Sequence, residues 1–269
     1  MERNRLLVKK TPQRIRHFYG ADDGLPSSSV LCLALDGGGN LFVGTEKGAA
    51  YFKNDGFEKI KGIKGSVKKL LPLKNGNVFA VSENTVYTLA DKKVKEKHAV
   101  SDDITDICID GVGNVRIIAG MMMYKLKDNK FLPEKPLEFT GSTAMTAYGD
   151  SRVYVISPDA LHILHGKRPH WGNVMPCVSD IPTTDVSSLT SDEWGHVWFA
   201  SKKGAYVFDG KSTWLSNKEI ETLPSCNVKS ITFTDDGEVL YCTDIGLYIQ
   251  SGTKYSFLGA NRWLPSSNV

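Results

Sequence analysis

The stretch Val186-Ser-Ser-Leu-Thr-Ser-Asp-Glu-Trp-Gly-His-Val-Trp-Phe-Ala-Ser-Lys-Lys-Gly-Ala-Tyr-Val-Phe208 decides the fold. It reads as an alternating apolar strand, a turn built on Asp and Gly, a second strand, a short polar turn closed by Gly, and a third strand. Period-2 alternation with Val, Tyr and Phe is the signature of strands, and no apolar spacing at i, i+3, i+4 and i+7 competes with it.

The same unit recurs along the chain. Val30-Leu-Cys-Leu-Ala-Leu-Asp-Gly-Gly-Gly-Asn-Leu41 and Val228-Lys-Ser-Ile-Thr-Phe-Thr-Asp-Asp-Gly-Glu-Val239 repeat the first hairpin, with the two strand anchors eleven positions apart as in Val186 and Val197. Val67 and Val78, Ile104 and Val115, and a degraded Ser142 and Val153 keep that interval. Repeats therefore open near 30, 67, 104, 142, 186 and 228, with another opening at 269. A period of roughly 40 residues, each with three clear strands and a weaker polar fourth such as Phe57-Glu-Lys-Ile60, predicts an all-β propeller of four-stranded antiparallel blades. Turns such as Lys74-Asn-Gly-Asn77 and Asp235-Asp-Gly-Glu238 place Gly where hairpins need positive φ.

Arg14-Ile-Arg-His-Phe-Tyr-Gly-Ala-Asp-Asp-Gly-Leu-Pro-Ser-Ser-Ser-Val30, followed by Leu41-Phe-Val-Gly-Thr-Glu-Lys-Gly48, resembles the two-component-regulator propeller repeat. Val197-Trp-Phe-Ala-Ser-Lys-Lys-Gly204, Leu223-Pro-Ser-Cys-Asn-Val228 and Trp263-Leu-Pro-Ser-Ser-Asn-Val269 match the repeat again. Gly120-Met-Met-Met-Tyr124 and Ser157-Pro-Asp-Ala-Leu161 lack its Gly-Thr element. The resemblance implies the sensory portion of a bacterial regulator that recognises a carbohydrate-like ligand and signals through a domain outside this sequence. It also implies a periplasmic setting, whereas a native start at Met1 would make the protein cytoplasmic. Six recognisable repeats and the start of a seventh, read as one propeller domain over 1–269, fit a fragment of a longer chain with further blades or domains.

Composition narrows the function classes. The 269 residues are 41% hydrophobic and 23% charged, with a formal net charge of +3, ordinary values for a soluble globular protein. No run approaches the roughly 18 apolar residues of a spanning helix, and the first ten residues lack the apolar core of a secretory signal. Lysines between Lys59 and Lys97 are spread over several strands and turns and read as a solvated edge, so neither nucleic acid nor direct membrane insertion is expected. The five cysteines, Cys32, Cys108, Cys177, Cys226 and Cys242, show no C-x-x-C pair or zinc spacing, so no disulfide framework, metal or cofactor is expected.

Candidate chemistry is sparse. His162, His165 and His170, with Arg168 and Trp171, form the single local concentration of histidines. His170 as a base and Arg168 as a charge neutraliser would serve a polysaccharide-lyase-like enzyme, the main alternative to a binding module. In strand geometry His162 and His165 point to opposite faces, so the segment reads more simply as a decorated outer strand and loop. The Asp/Gly turns lack the calcium-loop pattern, and hairpin chemistry accounts for them. Propeller geometry places the turns between second and third strands beside the inter-blade connections. That rim would carry Asp22, Asp23, Glu46, Lys47, Asn84, Asp159, Lys202, Lys203 and Asp244. A polar rim of mixed charge suits a glycan-like small molecule or a protein partner. A purely architectural interaction domain is the third reading.

Overall fold

The structure, a computed structural model, describes residues 19–149, 152–165, 171–173, 183–209, 214–216 and 226–259. The fold is a β-propeller of six four-stranded antiparallel blades, each a meander in which every strand pairs with the next. Blade one consists of β1 (Val30–Leu35), β2 (Leu41–Thr45), β3 (Gly48–Lys53) and β4 (Gly56–Lys59). Blade two holds β5 (Val67–Pro72), β6 (Val78–Ser82), β7 (Thr85–Ala90) and β8 (Lys93–Ala99). Blade three holds β9 (Ile104–Ile109), β10 (Val115–Ala119), β11 (Met122–Lys127) and β12 (Lys130–Pro136). Blade four follows with β13 (Ala144–Tyr148), β14 (Arg152–Ile156), β15 (Leu161–His165) and the short β16 (Gly172–Asn173). Blade five is β17 (Val186–Ser191), β18 (Val197–Ser201), β19 (Gly204–Phe208) and β20 (Trp214–Ser216). Blade six is β21 (Val228–Phe233), β22 (Val239–Thr243), β23 (Leu247–Ser251) and β24 (Lys254–Leu258).

The eleven-residue interval appears as register. In five blades the first-strand anchor pairs with the last residue of the second strand, as in Val30 with Thr45, Val67 with Ser82 and Val228 with Thr243. A register shift beside the anchor is common to these five blades. Blade four departs from them. Its first strand begins at Ala144 rather than at Ser142, and its hairpin runs without the bulge from Ala144 opposite Ile156 to Tyr148 opposite Arg152. The histidine segment is also placed differently from the sequence reading: His162 and His165 belong to the third strand, β15, and not to an outer strand.

The blades group into two compact units, one holding blades one to three and the other blades four to six together with residues 110–112. In the first, Phe42 and Tyr51 of blade one close over Val67 and Leu70 of blade two. Phe79 and Val86 of blade two close over Ile104 and Ile107 of blade three. In the second, Tyr154 and Leu161 cover Val186 and Leu189, and Ala200 and Ala205 meet Val228 and Ile231. Within each unit neighbouring blades thus bury apolar faces against one another, and non-directional apolar burial supplies the stability that short hairpins lack alone. The helical elements among the described residues are two short 3-10 turns, Ala21–Asp23 and Thr183–Asp185. No helix there is long and apolar enough to cross a membrane.

Candidate functional site

The turn between second and third strands follows one construction in most blades. A buried hydroxyl ends the second strand, two outward residues follow, and a buried small residue opens the third. In blade one Thr45 Oγ1 donates to the Gly48 carbonyl at 2.9 Å and accepts from the Lys47 amide at 3.2 Å, leaving Glu46 and Lys47 exposed. Blade five repeats this with Ser201, which donates to Gly204 at 2.9 Å and accepts from the Lys203 amide at 3.1 Å. In blade six Thr243 donates to Gly246 at 2.6 Å and accepts from the Ile245 amide at 3.2 Å. Gly246 sits at φ 143°, and a Cβ there would come within 2.5 Å of the Phe257 ring and 2.6 Å of the Leu258 carbonyl, so the glycine is structural.

Blades two, three and four vary the theme. Ser82 aims its hydroxyl at the Lys64 carbonyl, 2.6 Å away, and Glu83 and Asn84 fill the turn. Blade three has no hydroxyl at this position: Ala119 ends the strand, and Gly120 and the exposed Met121 follow. In blade four Ser157 supplies the hydroxyl, although its neighbourhood lacks the Gly-Thr pattern. It accepts from the Asp159 and Ala160 amides at 3.4 and 3.3 Å, and its oxygen lies 2.8 Å from His162 Nε2. Pro158 and Asp159 are the exposed pair.

These turns stand beside the connections between blades, those entering blades one, five and six and those leaving blades two and four. The Glu46 amide donates to Ser29, the Lys202 amide to Asp185 and the Asp244 amide to Asn227, at 3.2, 3.1 and 3.1 Å. In blade two the Asn84 carbonyl accepts from the Val100 amide at 3.0 Å, and its side-chain amide donates to the Val100 carbonyl at 3.1 Å. Thr183 donates its hydroxyl to the Pro158 carbonyl.

In the first unit this end of the sheets carries Glu46, Lys47 and Asn84, and in the second it carries Asp159, Lys202, Lys203 and Asp244; Asp22 and Asp23, expected on the same rim, lie instead toward the turn between β3 and β4, where the Asp23 carbonyl faces Gly56. Besides Asn84, three of these side chains are engaged locally. Asp23 accepts from the Gly20 amide at 2.8 Å, Lys202 reaches Asp185 at 3.3 Å, and Asp244 accepts from the Asn227 amide at 3.2 Å. Gly24, at φ 97°, lets the chain turn from Asp23 against the Phe57 carbonyl, which a Cβ would strike at 1.9 Å. Asp22, Glu46, Lys47, Asp159 and Lys203 are exposed.

The histidine segment resolves in part. His162 is buried, with its ring stacked on Phe139 at 3.5 Å between centroids and 5° between planes. Trp171 meets Phe139 edge-on at 5.2 Å. His170 and Arg168 lie outside the described residues.

Two clefts that sequence reading did not nominate open at the other end of the sheets in the first unit. One, of about 510 Å³, lies between blades one and two among Asp36, Asn40, Asn75, Asp91 and Lys92, with Phe42 and Leu89 beneath. The second, of about 400 Å³, lies between blades two and three, lined by Phe79, Leu126, Thr88 and Glu96. Their residues read as turn formers and core in the sequence, and local pattern carries no sign that neighbouring turns enclose space. Asp36 is itself committed to its turn. Burial pushes its carboxyl up, but hydrogen bonds from the Asn40 amide and side chain and the Gly38 amide outweigh that and hold it below the usual range.

Among the described residues no cluster of three or more metal-ligating side chains forms. Burial pushes the Cys32 thiol up to about 12, against weaker opposing effects from the Gly44 amide and Lys69, and so favours the neutral thiol over the nucleophilic thiolate. Lys69 pairs with Asp106 of β9, Lys92 is half-buried with its Nζ 5.2 Å from the centre of the Tyr51 ring, and the other lysines of the region are spread over exposed strand and turn positions.

No known protein family's profile matches the sequence, and no curated protein matches it. Solved structures match in fold. The extracellular domain of the hybrid two-component system BT4673 from B. thetaiotaomicron superposes with a TM-score of 0.74 at 16% identity, covering 95% of this chain and 36% of that one. That of BT3049 from the same organism superposes at 0.67 and 17% identity, covering 95% and 38%. This chain therefore spans little more than a third of the length of those domains. Virginiamycin B lyase from Staphylococcus aureus superposes at 0.67 and 11% identity, covering 86% of this chain and 84% of the lyase. At such identities the likeness concerns the fold, which hosts both the extracellular domain of a two-component system and a lyase.

Proposed function

We propose that the protein is a recognition module of a bacterial sensor, binding a hydrophilic ligand at the sheet end that carries the turns between second and third strands. The observation that carries this reading is the contrast between a constant frame and variable display. Buried Thr45, Ser157, Ser201 and Thr243 hold the same turn while the exposed pairs change from Glu46-Lys47 to Pro158-Asp159, Lys202-Lys203 and Asp244-Ile245. Rigid turns with interchangeable side chains lower the ordering cost of recognition and leave specificity to the displayed groups. Similarity in fold to the extracellular domains of hybrid two-component systems supports the sensor setting.

Mixed acidic, basic and amide groups suit a glycan-like ligand or a polar protein surface. Neutral and uronic-acid oligosaccharides titrated calorimetrically against the wild type and against Lys202→Ala/Lys203→Ala test the glycan form. Loss of binding with unchanged thermal stability supports it, and absence of binding by the whole panel shifts the reading to a protein partner. The lyase alternative rests on the shared fold and on His170 and Arg168. It predicts product formation from uronic-acid polysaccharides that disappears in His170→Ala.

A further inference from the structure

The two clefts of the first unit are one construction built twice. Asn40, Phe42, Leu89 and Lys92 line the cleft between blades one and two. The residues 37 positions on, Asn77, Phe79, Leu126 and Asn129, line the cleft between blades two and three. That spacing is the one that separates the strand anchors Val30, Val67 and Ile104, so each blade pair encloses its cleft with the same four positions. Asn75 and Asn77 border both clefts. Their turn, closed by the Gly76 amide on the Leu73 carbonyl at 3.0 Å, is the wall the two share.

The chemistry of the walls selects the class of ligand. At about 510 and 400 Å³ both clefts fall within the range of ligand sites, roughly 300–1,000 Å³. Beyond Asp36, whose carboxylate is committed to its own turn, each rim carries one acid and one base: Asp91 and Lys92 in the first, Glu96 and Lys74 in the second. Such balance favours neither a polyanion nor a polycation. Phe42 and Phe79 are 2% and 3% exposed, so neither offers an open aromatic face for a sugar ring to stack on. The clefts offer amide groups above an apolar floor instead. Asn75 is exposed, and its Oδ1 accepts from the Asn77 amide at 3.1 Å, which leaves its NH2 group as the donor it presents. In the second cleft Leu73, Ile109 and Leu126 are half-buried, while the Thr88 hydroxyl is engaged by His98 Nε2 at 3.0 Å.

We infer that the paired clefts form one site for a short extended peptide of a partner protein. Its main-chain amides meet the side-chain amides of Asn75 and Asn77, and an aliphatic side chain beside them enters the second cleft over Leu73, Ile109 and Leu126. An extended peptide alternates dipolar main chain with side chains, and main-chain hydrogen bonds combined with side-chain pockets are how such segments are recognised. The dividing turn is set by its own hydrogen bonds, which lowers the ordering cost on this side of the interface. The inference is independent of the glycan reading, which concerns the other end of the sheets.

The test is selection from a phage-displayed random dodecapeptide library on the 269-residue chain, followed by fluorescence-anisotropy titration of the enriched peptides. Asn77→Ala is expected to weaken their binding by about tenfold or more, and Lys202→Ala/Lys203→Ala to bind them as the wild type does. A benzophenone-bearing copy of the tightest peptide gives a readout that needs no variant: it should cross-link, by mass spectrometry, within residues 73–77 or β11. Enrichment no greater than on an unrelated protein, equal affinity for Asn77→Ala, or cross-links confined to residues away from both clefts would overturn the inference. Oligosaccharide binding lost in Asn77→Ala, with no peptide enriched, would also overturn it, because the occupant would then be a glycan.

Discussion

Ser157 Oγ and His162 Nε2 lie 2.8 Å apart in a buried setting, with the imidazole flat on Phe139. This contact closes the blade-four turn that displays Pro158 and Asp159, and it assigns to packing the histidine nearest the segment most suggestive of chemistry. Removing one partner of a buried hydrogen bond strands the other. His162→Ala should therefore cost about 2–4 kcal/mol through lost packing and an unsatisfied hydroxyl, and Ser157→Ala about 1–3 kcal/mol. Denaturant melts of the two single variants and the double variant measure the coupling. An additive double variant would contradict the arrangement.

The blade-six turn makes a sharper demand on backbone. Gly246→Ala should lower stability by about 2–4 kcal/mol, because the residue sits at positive φ with the Leu258 carbonyl in the way. Thr243→Val, which keeps the shape and removes the hydroxyl, should cost about 1–2 kcal/mol. Thermal melts by circular dichroism check both, and a Gly246→Ala variant as stable as wild type would refute the reading of this turn.

Asp192 organises the opposite turn of blade five. Its carboxylate accepts from the Trp194 and His196 amides at 3.0 and 2.9 Å, from His196 Nδ1 at 2.8 Å and from Trp198 Nε1 at 3.0 Å. Asp192→Ala should destabilise by about 2–3 kcal/mol and alter the near-ultraviolet signal of Trp198. Preserved stability would show that the turn holds without its acceptor.

Cys32 gives a pH prediction. Its folded pKa is raised above the ordinary thiol value of 9.0 to about 12 by burial, so the folded state favours the neutral thiol. The associated stability is fully present below pH 9 and is lost progressively as pH rises from about 9 to about 12. Wild type should lose stability over that range more steeply than Cys32→Ala. Parallel pH profiles of the two proteins would show that the thiol is not buried.

Much of the fold was legible because hairpin chemistry is local. Asp, Asn and Gly at fixed offsets and the eleven-residue anchor interval mark each blade in the sequence, and Val30, Val67 and Val228 stand where that spacing puts them. Blade four was harder to read. Its hairpin has no bulge, so the interval from Ser142 matches while the strand starts two residues later, at Ala144. Ser157 performs the task of Thr45 without the preceding glycine, so a motif search passes over a residue that its hydrogen bonds identify.

The candidate site was legible in its turn positions and not in its engagements. Nothing local distinguishes Glu46, which is exposed, from Asp23, whose carboxylate holds the Gly20 amide three residues back. The clefts beside Asp36 and Thr88 arise from neighbouring blades, which no single repeat encodes.

The central claim is that the exposed pairs on the hydroxyl-held turns bind the ligand. Its most direct test compares oligosaccharide affinity, by calorimetry, for wild type, Lys202→Ala/Lys203→Ala, Glu46→Ala/Lys47→Ala and the opposite-end control Asn75→Ala. The account predicts that at least one turn pair weakens binding by about tenfold or more, roughly 1.4 kcal/mol, while Asn75→Ala binds as wild type and all variants melt together. Undiminished binding in both turn variants with loss in Asn75→Ala would contradict it and move the site to the cleft beside Asp36.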